Sequence, residues 1–183
     1  MSTSIQTVAD LAATESTAAA HTEAAVAWML ESGVVTPGAT DHARLRHGPR
    51  IHDALTPESR WIFDSWVARQ PAIELGVEVS TTRRVWYAGE NYTEPDCARC
   101  ATPFSTQIEL IGTWWETGVE PTARCTGCGF ADLVGNWLQR RHFGIYVACA
   151  AIAFEDWPIL TDAFLAELCT RLGQRSRIVY AHY

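Results

Sequence analysis

Apolar residues recur with the period of an α-helix in three stretches of the chain. These are residues 21–33, 55–70 and 160–173. Thr22 in the first stretch and Thr56 in the second can cap their helices through a hydroxyl that accepts a free backbone N–H of the first turn, and Leu160, Thr161 and Asp162 open the third. The pattern therefore predicts three helices. In the second helix, Trp61, Ile62, Trp66 and Val67 are expected to face the core.

Alternating or continuously apolar runs, which are typical of strands, lie between and after these helices. They are residues 77–79, 84–88, 106–111, 145–154 and 177–181. The run 106–111 continues into Trp114 and Trp115, so we expect that pair in a strand as well. Residues 1–20 are rich in Ala, Ser and Thr, with almost nothing that a core could bury, and are expected to be a mobile tail or a marginal helix. The fold class is α+β, with flanking helices on a small mixed sheet.

Two Cys-x-x-Cys pairs mark the chemistry of the chain. Cys97 and Cys100 form the first pair and Cys125 and Cys128 the second. Each pair can direct two thiolates to one point, and two pairs supply the four sulfur ligands of a tetrahedral Zn²⁺. Four cysteines leave no coordination position for a substrate, so the zinc is expected to be structural.

Other uses of four cysteines compete with zinc. Disulfides are disfavoured because the polar first twenty residues do not look like a signal peptide, which predicts a cytoplasmic protein with reduced thiols. A redox-active pair and an iron–sulfur cluster stay open as alternatives. Pro95 before the first pair, Gly127 within the second and Gly129 directly after it favour the tight turns of a zinc site.

Residues 95–132 resemble a zinc ribbon, in which two cysteine turns at the ends of short strands share one ion. The resemblance implies a module inserted into an α/β body made of residues 21–94 and 133–183. The second half of the chain is also similar to small uncharacterised proteins of GC-rich actinobacteria. That likeness implies a bacterial origin and no particular chemistry.

Net charge and composition limit the kinds of partner that the chain is expected to bind. The formal net charge is −7, and all 14 basic residues are arginine. Nonspecific affinity for nucleic acid comes from clustered positive charge, so the balance disfavours a general nucleic-acid binder. No apolar run approaches the length of a transmembrane helix.

The abundance of tryptophan favours a protein partner. Eight tryptophans exceed what a core of this size needs. Adjacent residues of a strand point to opposite faces, so Trp114 and Trp115 cannot both face the same side. We expect a non-enzymatic interaction protein with an acidic, tryptophan-bearing surface, such as a bacterial immunity or antitoxin-like protein or an adaptor. The residues expected at this surface are Trp86, Trp114, Trp115, Arg83, Arg84, Arg140 and Arg141.

Two further functions compete with this one. A nucleic-acid-binding zinc ribbon would require its arginines to gather on one face. An enzyme with purely structural zinc would require a cavity with converging polar groups away from the cysteines. The sequence contains no phosphate loop, nucleophile elbow or dinucleotide fingerprint. Cys149 and Cys169 lie in apolar segments and are expected to be buried.

Overall fold

The computed structural model describes residues 3–38, 44–137 and 140–183, with only the backbone of Arg140. The α-helices in this part of the chain are α1 (Ala18–Glu31), α2 (Pro57–Arg69), α3 (Gln107–Thr117) and α4 (Asp162–Leu172). The strands are β1 (Ser4–Asp10), β2 (Val35–Pro37), β3 (Leu45–His47), β4 (Gly76–Ser80), β5 (Arg84–Tyr87), β6 (Thr122–Arg124), β7 (Ala131–Leu133), β8 (Ile145–Ala148), β9 (Ala150–Glu155) and β10 (Ser176–His182). None of these helices is long and apolar enough to cross a membrane.

A six-stranded sheet organises the molecule, and the α+β class is confirmed. Its strand order is β10-β1-β9-β4-β3-β2, and each neighbouring pair is antiparallel. Two smaller antiparallel pairs, β5 with β8 and β6 with β7, accompany it. Gly89 and His182 add one parallel bridge.

The N-terminal tail was wrongly predicted, because Ser4–Asp10 forms an interior strand of the sheet. It pairs with β10 on one side and β9 on the other, and Val8 and Ala9 are both fully buried. Small residues suffice here because the sheet is covered on both faces and its neighbours supply the bulk. The segment therefore lacks the strong apolar alternation that marks a half-exposed strand.

The two faces of the sheet belong to two different cores. On β9, Ala150, Ile152 and Phe154 enter the core that α1, α2 and α4 cover, while Ala151 and Ala153 enter the opposite core. That second core also receives side chains of residues 95–132, the segment that contains both cysteine pairs and α3 and is called the cysteine segment below. Residues 95–132 therefore pack on one face of the sheet, and the alanines allow that close approach.

The predicted strand 106–111 is wrong, since this segment begins α3. Gln107, Ile111 and Trp114, spaced four and three residues apart, are its buried positions. The helix ends at Gly118, whose φ of 71° lies in the left-handed region that glycine adopts without strain. The segment between the cysteine pairs is therefore built around a helix of 11 residues where the sequence predicted a strand, and its last residues form β6.

The other helix predictions agree more closely with the structure. The hydroxyls of Thr56 and Thr161 accept the N–H groups of Ser59 and Phe164, so the predicted starts of α2 and α4 are confirmed. The predicted cap at Thr22 is wrong, because α1 already begins at Ala18 and the Thr22 hydroxyl donates to the carbonyl of Ala18 within the helix. In α2, however, Phe63 is buried and Trp61 is 73% exposed, so the inward placement of Trp61 is wrong. The predicted strand 145–154 is two strands in different sheets, divided at Cys149.

Candidate metal centre

The two cysteine pairs converge as their spacing predicts. The Sγ atoms of Cys97 and Cys128 are 3.7 Å apart, and those of Cys100 and Cys125 are 3.5 Å apart. All four sulfurs lie within 4.8 Å of one another. A tetrahedron of sulfurs with Zn–S bonds of about 2.3 Å has edges of about 3.8 Å, so the donor set fits a single Zn²⁺.

The two cysteine turns have the same backbone design. The N–H of Ala101 donates to the carbonyl of Cys97 at 2.9 Å, and the N–H of Gly129 donates to that of Cys125 at 3.0 Å. Both residues have left-handed backbones, with φ of 55° at Ala101 and 73° at Gly129. The hairpin of β6 and β7 carries the second turn, whereas the bridge of Asp96 with Pro103 closes the first.

This equivalence gives a matched pair of substitutions. An alanine in the left-handed region costs about 1–2 kcal/mol, which the flexibility of glycine in the unfolded chain offsets in part. Ala101→Gly should therefore stabilise the protein by about 0.5–1 kcal/mol. Gly129→Ala should destabilise it by a similar amount, since a Cβ there meets no atom within 4 Å and only the backbone strain counts. Urea unfolding of both variants tests this; a loss of stability in Ala101→Gly would contradict it.

The thiols of the cluster differ in pKa because their surroundings differ. Hydrogen bonds from the hydroxyl and then the backbone of Thr102 lower the pKa of Cys100 to about 6. The backbone N–H of Phe130 lowers the pKa of Cys128, but the neighbouring sulfurs, that of Cys100 most, outweigh it with partial desolvation and raise this pKa to about 12. Thiols this close cannot all ionise beside one another unless a cation compensates their charge.

One cysteine of each pair anchors the centre in the second core. Cys97 and Cys125 are buried, while Cys100 and Cys128 are exposed. Beside them the rings of Phe104 and Trp137 stack with centroids 4.4 Å apart. The centre is therefore continuous with the apolar packing on this face of the sheet.

An ion-pair network ties this segment to the main sheet. Both carboxylate oxygens of Glu120 accept from the guanidinium of Arg175, at 2.7 and 3.0 Å. Glu120 also accepts the N–H of Gly135 at 2.8 Å. Arg175 and Arg177 both donate to the side-chain oxygen of Asn136. Glu120 thus links the end of α3 to the chain entering β10.

Only some of the residues expected at a partner surface are exposed in the structure. Trp86 and Trp114 are buried in the second core, so neither offers an exposed ring. Trp115 is 44% exposed. The adjacent residues Trp114 and Trp115 diverge because they lie on a helix, where successive side chains are about 100° apart.

The arginines of the expected surface do not form one cluster. Arg84 pairs with Glu78 and lies over the ring of Trp86, whereas Arg83 lies beside Glu15 and α3. Arg141 is exposed on a short turn before β8. The side chain of Arg140 lies outside the described part of the chain.

A second concave site, not predicted from the sequence, lies away from the four cysteines. It is a cleft of about 500 Å³ lined by the loop after β1, the end of α3, Arg83 and Cys149. Cys149 is buried as expected. Burial and the Glu15 carboxylate raise the pKa of this thiol, and the nearby Arg83 guanidinium opposes both effects. Residues from four separate segments meet here, so no local sequence pattern marks the cleft.

No protein-family model, curated protein or solved structure matches the chain. The resemblance of its second half to actinobacterial proteins therefore gains no support. The metal-binding character of residues 95–132 rests on the convergence of the four sulfurs.

Proposed function

We propose that this chain is a zinc-stabilised interaction protein, in which Cys97, Cys100, Cys125 and Cys128 hold a structural Zn²⁺ and the outer face of α3 binds another protein. The observation that carries the interaction is an exposed apolar stripe on that helix. The sulfur distances support the metal, because they match the edges of a zinc–thiolate tetrahedron. A fourth sulfur completes the coordination shell, which suits a structural ion better than a catalytic one.

The stripe consists of Ile108, Gly112, Trp115 and Val119. Ile108 is 58% exposed, and Trp115 lies two turns further along the same side of α3. Val119 follows the helix end and is 69% exposed. Exposed Trp is enriched among the residues that dominate binding energy at protein interfaces. The stripe retains Trp115 from the surface expected at the sequence level and adds residues that were not expected there.

Gly112 is the clearest sign that a partner's backbone comes close to this stripe. A Cβ built on it meets no atom within 4 Å, so the fold itself gives no steric reason for glycine there. A glycine in the middle of a helix costs about 1 kcal/mol relative to alanine. A partner backbone that packs directly on Gly112, between the side chains of Ile108 and Trp115, explains that cost.

The charge beside the stripe defines the partner's chemistry. Glu109 and Glu116 are exposed one residue after Ile108 and Trp115, and α3 contains no basic residue. We expect the partner to offer an apolar helix face flanked by Lys or Arg. The net charge of −7 favours the same complementarity.

Zinc would hold this helix in place. α3 lies between the two cysteine pairs, so one ion closes the loop that contains it. The buried face of α3 then packs on β8 through Ile111 and Trp114. Removal of the metal should therefore weaken partner binding although no ligand cysteine touches the partner.

Gly112 provides the test of this surface. Gly112→Ala should raise the free energy of unfolding by about 1 kcal/mol, since it adds helix propensity in open space. Gly112→Leu should fold as well as the wild type yet block the close approach of a partner. Immobilised wild type and Gly112→Leu are compared for the proteins that they retain from the native cell extract.

Ala166→Leu, at an exposed position of α4, is the matched control for added apolar bulk. We expect a basic protein to be retained by the wild type and by Ala166→Leu, and lost with Gly112→Leu. Equal retention by all three proteins would exclude the outer face of α3 as the binding surface.

A ligand-binding or catalytic role is the second candidate, and one observation favours it. The cleft around Arg83 and Cys149 is a cavity with converging polar groups away from the four cysteines. No comparable observation favours nucleic-acid binding. Arg84 pairs with Glu78 and lies over the ring of Trp86, Arg99 lies over the ring of Phe130, and Arg83 lines the cleft.

A further inference from the structure

The cleft beside Cys149 has the size and composition of a small-molecule site. Its volume of about 500 Å³ falls in the range of ligand pockets. Leu11, Trp114 and Val147 supply apolar walls, and Cys149 lies where the chain passes from β8 to β9. Among the described residues that line it, Arg83 is the only cation.

Gly118 fixes the position of the Arg83 guanidinium. A Cβ at residue 118 would stand 2.5 Å from Nη2 of Arg83 and 2.8 Å from its Cζ, so the guanidinium lies directly against the glycine. Nη1 of Arg83 donates to the carbonyl of Trp115 at 3.4 Å, which helps to hold the cation at the negative end of α3. The positive charge in the cleft is therefore pre-positioned.

The two carboxylates near Arg83, Glu120 and Glu15, differ in how firmly they are already paired. Glu120 lines the cleft but is engaged by the bidentate contact with Arg175. Glu15 is 3.3 Å from Arg83, and its side chain is 63% exposed, so water can replace this contact at little cost. The charge available to an incoming ligand is therefore the positive charge of Arg83. Glu15 competes only weakly with the ligand for that guanidinium.

We propose that this cleft binds a small organic monocarboxylate, whose carboxylate pairs with Arg83 in place of Glu15 and whose apolar part lies against Trp114 and Val147. A doubly charged phosphate suits the cleft less well, because Glu15 and Glu120 would repel a dianion more strongly. The proposal does not depend on α3 as a docking helix, but the cleft needs the end of α3 in its folded position, so it is tested on the zinc-loaded chain.

Cys149 offers a chemical reporter for this site. Iodoacetate and iodoacetamide alkylate a thiol by the same step: the sulfur forms a bond to the CH₂ group, the C–I bond breaks, iodide leaves and the thiol proton passes to solvent. The two reagents differ in that only iodoacetate carries a carboxylate. The rates are measured on the zinc-loaded full chain at one pH, with modification at Cys149 followed by peptide mass spectrometry.

We expect the iodoacetate rate at Cys149 to saturate with concentration, and propionate to protect Cys149 from iodoacetamide. Arg83→Gln should lower the iodoacetate-to-iodoacetamide rate ratio by about tenfold, the loss of one charged hydrogen bond. Glu15→Gln should raise the ratio, because it removes the competing carboxylate. Arg84→Gln, which alters the adjacent arginine outside the cleft, should leave it unchanged.

A linear dependence on iodoacetate with no protection by propionate would overturn the proposal. An equal ratio in Arg83→Gln and Arg84→Gln would also overturn it. If Arg83→Gln fails to fold because it releases the end of α3, the direction of the Glu15→Gln effect and the propionate protection of the wild type decide the question.

Discussion

Replacing Cys125 with serine should unfold residues 95–132 and release α3. Structural zinc contributes about 10–16 kcal/mol of apparent binding free energy in small zinc modules, and that energy is folding energy. An equal share for each of four ligands gives a loss of about 2.5–4 kcal/mol. For a chain of this size that corresponds to a fall in melting temperature of about 5–16 °C. Thermal unfolding and amide hydrogen exchange of α3 measure both effects.

Cys169→Ser is the matched control, because Cys169 lies in α4 and outside the four-sulfur cluster. It should keep its metal content and the protection of α3. A Cys125→Ser protein with wild-type stability and a protected α3 would contradict a structural role for the cluster.

Glu120→Ala should lower the free energy of unfolding by about 2–3 kcal/mol. The substitution removes the bidentate partner of Arg175 and the acceptor of the Gly135 N–H at once. Side chains of the Glu120–Arg175 pair are 10% and 28% exposed, so little water is available to replace the lost bonds. Urea unfolding provides the measurement.

Glu167→Ala offers the comparison, since Glu167 pairs with Arg171 on the surface of α4 with both side chains more than 40% exposed. Exposed pairs of this kind contribute about 0.3–0.5 kcal/mol. If the two substitutions cost the same, Glu120 does not link the cysteine segment to the sheet.

The metal site was predictable because its information is local. Two residues separate the cysteines in each pair, and Gly129 marks the left-handed position that follows the second. The starts of α2 and α4 were predictable for the same reason, since a threonine hydroxyl accepts an N–H three residues later in each. Signals that act over a few residues depend little on the rest of the fold.

α3 was mistaken for a strand because six residues are too few to distinguish the alternation of a strand from the spacing of three and four residues of a helix. Ile108 and Leu110 alternate with polar residues, whereas the buried set Gln107, Ile111 and Trp114 spans two helical turns. Gly112 weakens the helical pattern in its middle. A window of eleven residues contains the helical spacing in full.

β1 and the cleft depend on partners distant in sequence. Thr7, Val8 and Ala9 are buried because β9, β10 and the layers on both faces surround them. Their own composition resembles that of an exposed segment. The cleft likewise forms only when Arg83 reaches Gly118. Such features arise from tertiary packing, which overrides local propensity.

Native mass spectrometry of the full chain tests the central claim most directly, with the mass of the intact folded protein compared with that of the acid-denatured protein. We predict a difference of one zinc ion per chain, held by the thiolates of Cys97, Cys100, Cys125 and Cys128. A folded protein that carries no metal, or one that carries an iron–sulfur chromophore, would contradict a structural zinc centre.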